Sequence, residues 1–90
     1  MKKTIITVVG KDSVGIIAKV CTYLSENQIN ILDISQTIVD GFFNMMMIAN
    51  TDESSKSVVE ISEDLEALGK EISCIIRVQR EDIFDKMHRI

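Results

Sequence analysis

Apolar residues recur along this chain at two spacings, and the switches between them divide it into six segments. Residues 3–9 form a β-branched run with Ile5 and Val9 on one face and Ile6 and Val8 on the other. A strand that is apolar on both faces belongs in the middle of a sheet, covered on both sides. Over 14–27 the spacing becomes helical. Ile16, Ile17, Val20, Cys21 and Leu24 make one stripe, while Lys19, Thr22, Ser25 and Glu26 fill the wet side. Asn27 is the expected left-handed stop. Residues 30–40 alternate again, with Leu32, Ile34 and Ile38 on a face that Gln36 interrupts and Asp33, Ser35 and Thr37 on a polar face. Asp40-Gly41 marks a tight hairpin. Residues 42–51 return as a third strand, turning Phe43, Met45, Met47 and Ala49 one way and Phe42, Met46 and Ile48 the other. Ser54 and Ser55 can cap a second helix over 56–68, which repeats Val58, Ile61, Leu65 and Leu68 and is closed by Gly69. Over 71–79 a fourth strand alternates Ile72, Cys74, Ile76 and Val78 against Ser73, Ile75, Arg77 and Gln79.

The order strand-helix-strand-strand-helix-strand is the ferredoxin-like βαββαβ arrangement, an α+β fold. It predicts a four-stranded antiparallel sheet with both helices on one face, in a domain over 1–79. Residues 80–90 follow as a short helical extension patterned by Ile83, Phe84, Met87 and Ile90. The second face of the sheet then needs cover, because the first and third strands are apolar on that side too. A large bare apolar face is rare on monomers. The tail is one candidate cover and a symmetric partner is the other, so a homodimer is expected.

Composition narrows the function classes. Ninety residues, 46 % of them hydrophobic, suffice for one core; at this size folding buries roughly 60–65 % of the unfolded surface. The net charge of −4 and the lack of a basic cluster argue against nucleic acid. So does the first strand, which offers no aromatic on which a base could stack. No apolar run approaches the ~20 residues of a membrane helix, and no cleavable leader pattern follows Lys2-Lys3, so a cytoplasmic protein is expected. Cys21 and Cys74, each among aliphatic residues, read as buried thiols of a reduced protein. Met45, Met46 and Met47 read as filler of an uneven core rather than a methionine site. Glu60, Glu63, Asp64 and Glu66 read as a solvated helix face rather than a cation site. The single histidine, His88, has no visible catalytic partner, and no Cys/His cluster has metal spacing. No cofactor and no enzymatic activity are expected.

What remains is the turn between the first strand and the first helix, Gly10-Lys11-Asp12-Ser13-Val14-Gly15-Ile16. Asp12 or Ser13 can cap the free N–H groups of the helix, and any N–H left over faces outward as a weak site for a carboxylate. Gly10 and Gly15 have the gap of a P-loop, but Ile16-Ile17 stands where Lys and Ser/Thr would be needed. An acylphosphatase of this fold needs an arginine in the turn, where this chain has only Lys11. If the start of the second strand lies near the turn, Asn30 adds an amide that both donates and accepts. The helix end would then hold the carboxylate of a zwitterion, with Asp12 or Asn30 on its ammonium. The same residues could equally serve as caps and turn formers alone.

The stretch from Val9 to Ile17, followed by Gln28-Ile29-Asn30-Ile31-Leu32-Asp33-Ile34, resembles an ACT domain. In that family the turn typically reads Asp-Arg-Pro-Gly-Leu-Leu, and an Ile-Asn-Ile segment opens the second strand after one helix. The step of 18 residues from Asp12 to Asn30 agrees. The likeness extends to Gln79 and is to small bacterial proteins made of a single ACT domain, related to the ACT repeats of the glycine cleavage system transcriptional repressor. Val14 departs from the usual proline and Ser13 from the usual arginine. The resemblance implies a non-enzymatic regulatory module that pairs with a second copy, binds a small amino acid at the interface and signals to a regulated protein partner. It also implies a site lined by Gly10, Asp12, Ser13, Val14, Gly15, Ile16, Asn30 and Ile31. The alternative is a module that serves for pairing alone.

Overall fold

A computed structural model of the protein describes residues 3–11 and 13–80. The elements run β1 (Lys3–Gly10), α1 (Ser13–Glu26), β2 (Asn30–Val39), β3 (Phe42–Asn50), α2 (Val58–Glu71) and β4 (Ile75–Arg80). The four strands form one antiparallel sheet in the order β2-β3-β1-β4. This is the ferredoxin-like arrangement that the periodicity predicts, with doubly apolar β1 and β3 in the middle and β2 and β4 at the edges. The helical pattern of 80–90 and His88 lie outside the described residues, apart from Arg80, which ends β4.

The core lies between the helices and one face of the sheet. Ile6 and Val8 of β1, Phe43, Met45, Met47 and Ala49 of β3, and Ile76 of β4 meet Ile16, Val20 and Leu24 of α1 and Ile61 and Leu65 of α2. Met45 and Met47 are fully enclosed there, whereas Met46 points to the opposite face and is exposed. A run of three methionines on a strand must split this way, because successive side chains alternate.

Element ends differ from the sequence expectations for local reasons. At the end of α1 the left-handed residue is Gln28, with φ 57°, rather than Asn27. The Ile29 N–H donates to Leu24 O at 2.9 Å and the Gln28 N–H to Ser25 O at 3.2 Å. These bonds close a Schellman cap, and the side chains of Ile29 and Leu24 are both buried beside it. Asn27 instead folds its amide back onto Tyr23 O. At the end of α2, Gly69 does not stop the helix. It lies within the last turn, where a Cβ would stand 2.8 Å from Cys74 O, so close packing against the chain returning to β4 demands a glycine. Ser73, φ 58°, takes the left-handed position, and the Cys74 N–H donates to Gly69 O at 2.8 Å. Residues 72–74 are spent on this cap, so β4 starts at Ile75 and not at 71. The N-cap of α2 is Ser57 rather than Ser54 or Ser55. Its hydroxyl accepts from the Glu60 N–H while the Glu60 carboxylate accepts from the Ser57 N–H, a capping box. In β2 the register shifts between Ile31 and Asp33. Leu32 is thus the extra residue of a bulge and drops out of the face that Ile34, Gln36 and Ile38 share. The Asp33 carboxylate accepts the Ile34 N–H at 2.9 Å beside it.

Candidate functional site

The β1–α1 turn is shaped by packing on its strand side. Gly10 is the last residue of β1 and is buried. A Cβ there would overlap Ile16 Cδ1 and lie 2.8 Å from Cys74 Cβ. Close approach, not a positive φ, makes this position a glycine. Ile16 is likewise a core residue, fully enclosed among the sheet side chains. Val14 is the opposite case: it sits in the first turn of α1 with 79 % of its surface exposed. Gly15 is half-buried beside it. Asp12 lies outside the described residues, and of Ser13 the structure describes only its place as the first helical residue. The exposed flank of the turn is therefore the N-terminal end of α1, carrying Val14.

Lys11 and Phe42 tie the turn to the β2–β3 hairpin. Lys11 Nζ stands 5.3 Å from the centroid of the Phe42 ring, a cation–π distance. Residue spacing gave no hint of this contact. It follows from the register, because Gly10 is opposite Phe43 on the neighbouring strand.

That register also separates two parts of the expected site. Asn30 is opposite Asn50, and Asn50 is opposite Lys3. Asn30 and Ile31 thus lie at the Lys3 end of the sheet, whereas Gly10 lies at the hairpin end, seven residues or about 23 Å along the strands. The helix between them accounts for this. Its 14 residues rise about 21 Å, returning the chain the length of β1 before β2 begins. Within one chain the turn and Asn30 do not meet.

The other polar cluster joins the two helices. Tyr23 of α1 donates its hydroxyl to Asp64 Oδ2 of α2 at 2.7 Å, and Lys56 Nζ bonds the same oxygen at 2.5 Å. Lys56 also stands over the Tyr23 ring, 5.5 Å from its centroid. Burial, then the bond to Asp64 and its charge, pushes the Tyr23 phenol up. The hydrogen bonds from Lys56 and then Tyr23 hold the Asp64 carboxyl below its usual range. Asp64 is thereby drawn from the acidic face of α2 into the contact between the two helices. Cys21 and Cys74 are both free thiols, half-buried, and burial pushes the Cys74 thiol up, away from the reactive thiolate. Among the described residues no three His, Cys, Asp or Glu side chains cluster as metal ligands, and no helix is long and apolar enough to cross a membrane.

Known proteins align with this chain from end to end. It is 60 % identical over 90 residues to a UPF0237 protein of Bifidobacterium longum, covering 100 % of both chains. Its fold superposes on the ACT domain protein from Streptococcus pneumoniae with a TM-score of 0.81 at 39 % identity, covering 93 % of this chain and 94 % of that one. A protein assigned as a glycine cleavage system transcriptional repressor shares the fold with a TM-score of 0.73 at 24 % identity, over 88 % of this chain and 45 % of its own. The family model of the ACT domain matches residues 2–79. The chain belongs to the ACT domain family, whose fold is of the regulatory type.

Proposed function

We propose that this protein is a non-enzymatic, cytoplasmic regulator that binds a small amino acid at the interface of a homodimer and passes the signal to a regulated protein partner. The observation that carries the reading is the β2 edge. All ten residues of β2 are exposed, and Ile31, Ile34 and Ile38 stand on its helix side at a free strand edge, Ile38 with 73 % of its surface bare. A free edge of this length is a template for another strand. A second copy that pairs β2 with β2 about a two-fold axis normal to the sheet runs antiparallel, since that axis reverses the strand. The Asn30 end of one β2 then lies beside the Val39 end of the other. That is the end where the partner's β1–α1 turn sits.

Pairing thus does what the single chain cannot: it brings Asn30 and Ile31 of one protomer towards the α1 N-terminus of the other. The dipole at the α1 N-terminus and the N–H groups of its first turn favour the ligand carboxylate. Asp12 and the partner's amide at Asn30 suit its ammonium. Exposed Val14 and Ile31 supply apolar contact for a small side chain. A ligand of ~7–10 non-hydrogen atoms at ~0.5–0.8 kcal/mol each gains roughly 4–8 kcal/mol, which is millimolar to micromolar affinity.

A thermal-shift panel of the twenty amino acids tests the reading. One of them raises the melting temperature saturably, and the rise is lost in Asp12→Ala and in Asn30→Ala. A flat panel would overturn amino-acid sensing and leave a module that serves for pairing alone. Light scattering that finds only monomer at micromolar concentration would overturn the pairing itself.

A further inference from the structure

Val14 and Ile38 are the two large apolar side chains with the most bare surface among the described residues, and the fold sets them at the same end of the molecule. Ile38 is opposite Phe43, and Phe43 is opposite Gly10. Ile38 thus lies in the row of the β1–α1 turn, two strands or about 10 Å across the sheet. It shares the helix side with Phe43, which is buried there. From above, α1 turns an apolar flank towards it. Ile16, Val20 and Leu24 of this helix enter the core, while Lys19, Thr22 and Tyr23 border the groove towards α2. At about 100° per residue, Val14, Ile17 and Cys21 fall on the remaining flank. Because α2 packs beside β4, that flank faces β2. The result is an apolar trough between α1 and the free edge of the sheet.

Given the β2-to-β2 pairing and the ligand placement proposed above, on which this rests, we infer that the trough selects an aliphatic amino acid, of the class of valine, leucine and isoleucine, and that Ile38 sets the selection. Pairing over the full strand, with the bulged Leu32 set aside, puts Asn30 opposite the partner's Val39 and Ile31 opposite the partner's Ile38. Ile31 is on the helix side as well, since its neighbour Ala49 is buried there. Each Ile38 and the partner's Ile31 therefore form one apolar floor beneath the α1 N-terminus, with Val14 as its wall. A ligand held by its carboxylate at the helix end and by its ammonium at Asp12 and the partner's Asn30 has only its Cα substituent left to meet that floor. Nothing there answers a charge. Of the residues that β2 turns towards the helices only Gln36 is polar, and it stands about 7 Å along the strand from Ile38. Lys11, the one cation of the turn, lies over Phe42, which alternation places on the opposite face from Phe43. A branched aliphatic side chain covers the floor, whereas glycine and alanine leave it bare to water.

Calorimetric titration with L-valine, L-leucine and L-alanine tests this, with light scattering confirming that each variant still pairs. Valine carries two carbons more than alanine, and burying them tightens binding about 15-fold. In Ile38→Ala the floor is cut away, and the ratio of valine to alanine affinity falls below about fivefold. A dimer that is merely weaker would lose valine and alanine alike and keep their ratio. Val14→Ala, outside the strand pairing, narrows the ratio in the same direction and carries the test should Ile38→Ala fail to pair. An unchanged ratio in the paired variants would overturn the inference. So would a wild-type response led by glycine, serine or a charged amino acid; amino-acid sensing would then stand and the aliphatic class would fall. A flat response to all twenty would overturn the sensing itself, and the selection with it.

Discussion

Thr4 and Gly10 mark the two ways in which single residues depart from what their chemistry favours. Thr4 is fully enclosed on the helix side of β1, and its hydroxyl has no hydrogen-bond partner among the described residues. A buried hydroxyl without a partner forfeits the bonds it made to water in the unfolded chain. Valine has the same shape without that cost. Thr4→Val is therefore expected to stabilise the fold by about 1 kcal/mol, a rise in melting temperature of roughly 4–8 °C for a domain of this size. Gly10 is the reverse case. A methyl group there can displace the flexible Ile16 tip, but not Cys74 Cβ, which is anchored to the backbone at 2.8 Å. Gly10→Ala should cost about 1–3 kcal/mol, read as a lowered urea midpoint. Because the effect arises in the packing beneath the turn, the folded variant keeps its ligand response at low temperature. A lost response without lost stability would instead place Gly10 in contact with the ligand.

At the scale of elements, the Lys56–Asp64–Tyr23 cluster couples α1 and α2 and makes their docking depend on pH at both ends. Asp64 has its carboxyl lowered in the fold. It contributes stability above the unfolded value of about 3.9, and that contribution is lost as pH falls through the lowered folded value. Tyr23 has its phenol raised. Its contribution is complete below the unfolded value of about 10 and is lost as pH rises beyond it, where the unfolded chain can ionise and the folded one resists. Urea midpoints measured from pH 2 to 11 should fall at both extremes. Asp64→Asn should flatten the acid limb and Tyr23→Phe the alkaline one; unchanged limbs in these variants would assign the pH dependence to other groups.

Element type was legible because the two spacings are unambiguous: 2 for β1, β3 and β4, and 3.6 for α1 and α2. Element ends were less so. Ser57 rather than Ser54 caps α2 because only Ser57 has Glu60 three residues on to complete the box, a signal present in the sequence but masked by the serine cluster. The left-handed positions went to Gln28 and Ser73, since a Schellman cap is chosen by which following residue, Ile29 or Cys74, must turn back onto the core. The Leu32 bulge left no mark, because Ile31, Leu32 and Ile34 are all apolar and either neighbour could have been the extra one.

At the scale of the whole molecule, the feature least legible in the sequence was the distance between the turn and Asn30. One helix separates them in the chain, which reads as proximity, yet a helix as long as the strand before it returns the chain to where that strand began. The same geometry makes a site that contains both residues possible only between two protomers, and this has a consequence that a site within one chain lacks. Asp12→Ala and Asn30→Ala, each without ligand response, complement one another when mixed after unfolding and refolding together. Random pairing makes about half of the dimers mixed. In each mixed dimer one site combines both defects, while the other combines an intact turn from one chain with an intact Asn30 from its partner. About a quarter of the sites are therefore restored, and calorimetric titration of the mixture should show that fraction at wild-type affinity. A site built within a single chain would leave every site defective in either parent, and the mixture would stay silent.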